Sequence, residues 1–141
     1  MRSLDWQATV RGAVVAVAMI LIGGVVAIVL GPSAQGTTGA AAFLIWALVA
    51  FLSAGWLAGG VRLDTPVAHG IAAAVLAAVV ALVIPLAGGA GPGPAVGAVV
   101  RSATIVVVAA TCGAGGGLLA DQRQRRLRHR SRDRAAPAPR L

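Results

Sequence analysis

The chain has 141 residues, room for one domain; 58% are hydrophobic, 11% are charged, and twelve arginines against four acidic residues give a net charge of +8. A soluble domain this small buries only about 60–70% of the surface its unfolded chain exposes, too little to hide so apolar a composition, so an ordinary water-soluble fold is excluded. There is no lysine, and alanine, valine and glycine dominate, the bias of a GC-rich bacterial genome.

A hydrocarbon core about 30 Å thick takes ~20 apolar residues as helix. The first such stretch is 12–30, charge-free and stopped by Gly31-Pro32. The second is 40–60. The third is 66–86, where Thr65 suits an N-cap and Pro66 the first helical position. The fourth is 95–120, with Arg101 near its start. Strands are excluded by the length of the runs, and unpaired backbone groups in lipid are costly, so each run is expected to be helical. Arg2, Arg11 and the first run resemble a signal peptide, with Pro32-Ser33-Ala34 as a weak cleavage site. The run exceeds the ~7–15 apolar residues of such peptides and is read as a span.

The links 31–39, 61–65 and 87–94 are short, so successive helices must run antiparallel. The expected fold is all-α: an integral membrane four-helix bundle, up-down-up-down, with short loops. Residues 121–141 form a basic tail that extends the last helix briefly and then becomes largely disordered through Ala136-Pro137-Ala138-Pro139.

Arginine placement orients the chain. Arg2, Arg11, Arg62 and the eight tail arginines fall on one side of four crossings, whereas the first and third links carry no charge. The positive-inside rule then puts both termini in the cytoplasm of a bacterial inner membrane. Trp6, Trp46 and Trp56 are expected to anchor span ends in the headgroup layer.

Few polar residues invite a role. Arg101 lies one to two turns into the fourth span; it marks a pathway or partner if it faces inward, but its end position favours snorkelling to the surface. His69, with Arg62 and Asp64 just upstream, has the makings of a proton relay at a membrane mouth. An interfacial histidine beside a loop ion pair is the favoured reading, since no acidic residue lies deeper in any span. Ser53 and Thr111 lack a base and an orienting acid, and no enzyme is expected. Cys112 is the only cysteine, so there is no internal disulfide, and no metal or cofactor site is expected. Small residues recur four apart in Gly23-Ala27-Gly31, Gly55-Gly59, Gly70-Ala74-Ala78 and Ala109-Gly113-Gly117, a pattern for close helix approach.

The tail arginines Arg123, Arg125, Arg126, Arg128, Arg130, Arg132 and Arg134 suit anionic lipid headgroups, at about 1 kcal/mol per residue near the surface. Setting topology alone is the plainer alternative. Nucleic acid is the least favoured partner, because no aromatic or folded platform accompanies the run.

Ala58-Gly59, with Ser53 to Arg62 around it, and then His69-Gly70 resemble the signature of a family of small bacterial four-span membrane proteins of unknown function. In that family a Gly-rich end of helix two leads, after a short loop, to His-Gly opening helix three. Here Gly60 stands where the family has its basic residue, and Arg62 comes later. The resemblance implies a candidate site of Gly59, Arg62, Asp64, His69 and Gly70. The expected function is that of a non-enzymatic interaction protein packing with itself or a membrane partner. The alternative is a small oligomeric transporter or channel component for an anionic solute, with Arg101 in an outer vestibule.

Overall fold

The computed structural model describes residues 5–31, 36–60, 65–87 and 95–135. They form four helices: α1 (Trp6–Leu30), α2 (Thr37–Gly59), α3 (Pro66–Ala87) and α4 (Ala95–Ala135), with no strand among the described residues. All four are long and apolar enough to cross a bilayer, as a multi-pass membrane protein requires.

The candidate spans are apolar nearly all round, so polarity cannot tell an inner face from an outer one. Side-chain size does. The core is almost wholly alanine, including Ala13 and Ala16 of α1, Ala54 and Ala58 of α2, Ala73 and Ala77 of α3 and Ala109 of α4; Phe51 is its one large hydrophobic member. The large residues point outward, with Ile28 and Val29 80% and 79% exposed. In water this sorting would be upside down. In lipid, burying leucine against protein gains nothing over leaving it against acyl chains, and close backbone approach decides the packing.

The closest approach joins three helices. A Cβ placed on Gly55 (α2) or on Gly70 (α3) would strike the carbonyl oxygen of Gly113 (α4). One turn on, a Cβ on Gly117 would lie 2.7 Å from the Pro66 carbonyl oxygen, and one on Gly59 would lie 3.0 Å from Gly117 Cα. α1 joins through Gly12, where a Cβ would meet the Ala54 carbonyl oxygen at 2.6 Å.

These contacts fix the layout. α2 and α3 pack on each other and on both outer helices, whereas no Cα of α1 comes within 8 Å of a Cα of α4 among the described residues. The cross-section is a rhombus with α2 and α3 on its short diagonal. α1 and α3 are therefore parallel neighbours, as are α2 and α4. The end holding the chain termini is called here the termini end and the opposite one the far end.

Two expectations are corrected. α4 runs to Ala135, so most of the basic segment is helix rather than disordered tail; only 136–141 lies outside the described residues. Arginine, glutamine and leucine are good helix formers, and helix already begun at α4 needs no new nucleus. Trp46, read as a headgroup anchor, lies well inside α2 and packs into the notch left by Gly23 of α1; its indole Nε1–H donates to the Met19 carbonyl oxygen at 2.7 Å. Trp46→Phe is expected to lower stability by about 0.6 kcal/mol, and at most ~1.7, the range for hydrogen bonds between membrane helices. Thermal melting in detergent, with the Met19 carbonyl stretch as a site probe, checks it.

Candidate functional site

Two groups of described polar side chains lie at the termini end. Asp5 caps α1: its Oδ1 accepts from the N–H groups of Gln7 and Ala8 at 3.2 and 3.4 Å. A carboxylate here also meets the positive end of the helix dipole. The Asp5 carbonyl oxygen accepts from both the N–H and the hydroxyl of Thr9, each at 3.1 Å, and Thr9 is fully buried.

His69, one turn into α3, is 1% exposed. Its Nε2 accepts from the Asp5 backbone N–H at 2.8 Å. Its Nδ1 lies 2.8 Å from the Thr65 carbonyl oxygen and 3.1 Å from the Thr65 hydroxyl. An N–H donor on one side and a carbonyl on the other leave a single arrangement: a neutral ring with the proton on Nδ1. Both nitrogens are spent on backbone, so the ring ties the N-terminus of α1 to the start of α3. Among the described residues the acidic residue beside His69 is Asp5, 64 positions away in sequence, and it meets the ring through its backbone N–H. Arg62 and Asp64 lie outside the described residues. Gly59 and Gly70 are placed by helix packing, as described above. Asp5, Thr9 and Thr65 carry this cluster, and the first two were not singled out by sequence. The signal that could have found them is an N-cap aspartate opening α1 at the depth where a parallel neighbour carries histidine.

A second group joins α4 to the end of α2. Gln124 Nε2–H donates to the Gly60 carbonyl oxygen at 2.7 Å, satisfying one of the carbonyls α2 leaves unpaired. Arg123 stacks its guanidinium 5.6 Å from the centroid of Trp56, a contact worth about 0.5–1 kcal/mol at an exposed site. Arg125 pairs with Asp121 at 2.8 Å, one turn apart on the helix surface. The basic helix therefore leaves the bundle fastened to it.

Comparison with protein-family models, curated proteins and solved structures finds no match.

Other candidates are scattered. Ser53 donates to the Ala50 carbonyl oxygen at 2.8 Å, and Thr111 to that of Val107 at 2.6 Å, so both hydroxyls bond back to their own helices. Cys112 is half-buried against the alanine core. Arg123, Arg125, Arg126 and Arg128 are exposed, and Arg130, Arg132 and Arg134 follow on the same helix. Arg101 is exposed at the far end, distant in sequence and in the fold from this cluster.

Proposed function

We propose that this chain is a non-enzymatic, multi-pass interaction protein of a bacterial cytoplasmic membrane, of the small four-span type its Ala-Gly and His-Gly motifs resemble. Both termini lie in the cytoplasm. The bundle holds a rigid basic arm at the membrane surface, where it engages anionic headgroups while the spans pack with a second copy or a membrane partner.

The observation that carries this reading is the unbroken course of α4 to Ala135, with Gln124 and Arg123 fastening its emergence to Gly60 and Trp56. At about 1.5 Å per residue, Arg123 to Arg128 rise within roughly 10 Å of Asp121, about one Debye length in physiological salt, and Arg130 to Arg134 lie beyond it. The inner arginines should therefore dominate. The alternative of an anionic-solute transporter calls for a polar cavity beside Arg101; the described cleft below Arg101 is lined almost entirely by apolar residues.

The test uses the full chain with a dye at Leu127→Cys in a Cys112→Ala background, in nanodiscs. Replacing zwitterionic by anionic lipid should shift the dye's emission, and salt near 1 M, where the Debye length falls to ~3 Å, should reverse the shift. Gln at Arg123, Arg125, Arg126 and Arg128 should abolish the shift, and Gln at Arg130, Arg132 and Arg134 should leave most of it. Identical spectra in the two lipids would end the lipid role of the arm.

A further inference from the structure

In the far half of the bundle, where α1 and α4 stand apart, a cleft of about 790 Å³ opens between them. One wall is α1 from Ile20 to Ile28, a length of about 12 Å. α2 forms the floor with residues that include Phe51, and Ala81 of α3 reaches it. The other wall is Thr104, Ile105 and Val108 of α4. The volume falls in the range of about 300–1,000 Å³ usual for small-molecule sites, and the lining is almost entirely apolar.

The charge on this stripe decides the occupant. Residues 101, 104, 105 and 108 share one face of a helix, so Arg101 stands one turn above the α4 wall, toward the far-end headgroups. Helical side chains lean toward the helix N-terminus, which here carries the guanidinium the same way. Arg101 is exposed, and it is the only charged residue between Asp64 and Asp121. A hydrocarbon-lined cleft under one cation matches a molecule with an acyl chain below and a negative group above.

We propose that the α1–α4 cleft is a binding site for one anionic phospholipid of the far-end leaflet, its acyl chain filling the cleft and its phosphate on Arg101. The lipid bridges α1 and α4 where they stand apart. This rests on the membrane seating proposed above but not on the basic arm.

Gly24 provides a clean block. It lines the cleft, and a Cβ built on it meets nothing within 4 Å, so Gly24→Leu fills the space without disturbing the helix packing. The test starts from the full chain with the seven arginines from Arg123 to Arg134 changed to Gln, which removes the arm's own attraction. This chain is held in neutral detergent and offered phosphatidylglycerol or phosphatidylcholine, with bound lipid counted by native mass spectrometry. One phosphatidylglycerol should be retained, with about a fivefold preference over phosphatidylcholine, the value of one basic residue beside an anionic headgroup. Arg101→Gln should erase the preference, and Gly24→Leu should lose both lipids at unchanged helicity. Val108→Phe serves in place of Gly24→Leu if that variant does not fold. A preference that survives Arg101→Gln, lipid that survives the block, or a second copy of the chain displaced by the block would overturn the proposal. Failure of the dye test on the arm would leave this site standing, and the converse also holds.

Discussion

Gly113→Ala is expected to destabilise the bundle by about 2 kcal/mol, the net of two opposed terms. Alanine is the better helix former by about 1 kcal/mol. The new methyl, however, would strike the Gly70 carbonyl oxygen and sit 2.7 Å from Ala74 Cβ. Backbone cannot swing aside as a side chain can, so overpacking falls at the upper end of its usual range, about 3 kcal/mol. Gly24→Ala is the control: the same chemistry, also in a helix, with open space around the added methyl. It should be neutral or gain up to about 1 kcal/mol. The comparison is made by thermal melting of the two variants in the same detergent. Equal effects at Gly113 and Gly24 would refute the three-helix glycine junction.

His69→Ala should cost about 3 kcal/mol. It deletes a buried ring, at roughly 2–5 kcal/mol for large-to-small changes, and strands a partly buried Asp5 N–H. His69→Gln should recover part of the loss, because the amide oxygen can take the same proton. A relay role would give the opposite ranking, with the loss in transport rather than in melting temperature. Nitrogen NMR adds a direct reading: the ring should show its proton on Nδ1, and a proton on Nε2 would contradict the assigned hydrogen bonds.

Much of this fold was legible before any coordinates. Lipid demands helix, and the demand is written in run length: Pro66 opens α3 as expected, and α1 ends at Leu30 before Gly31, whose φ of 59° suits glycine. The start of α1 was less plain. Charge-free counting began the span at residue 12, whereas the helix begins at Trp6, carried back through Arg11 by the Asp5 cap. Small-residue spacing foretold close packing, and Gly55, Gly70 and Gly113 do meet. Gly23 belongs to the same pattern yet accommodates an indole, because spacing tells where a helix is thin but not what fills the notch. The polar site was harder for a topological reason. Local reading reaches only Arg62 and Asp64 as neighbours of His69, and both lie outside the described residues, whereas the parallel packing of α1 on α3 brings the Asp5 backbone to it. The length of α4 is harder to read, because a segment rich in one charge and ending in Ala136-Pro137-Ala138-Pro139 has the composition of a disordered tail, whereas its arginine, glutamine and leucine favour helix up to Ala135.

The layout of the bundle in the membrane is tested most directly by cysteine labelling. In a Cys112→Ala background, Gln7→Cys and Gln122→Cys mark the termini end and Thr37→Cys the far end. An impermeant maleimide added to intact spheroplasts should modify Thr37→Cys at once, and the other two only after the membrane is permeabilised. Labelling of Gln7→Cys and Gln122→Cys from opposite sides would mean an odd number of crossings, which no four-helix bundle with adjoining termini can accommodate.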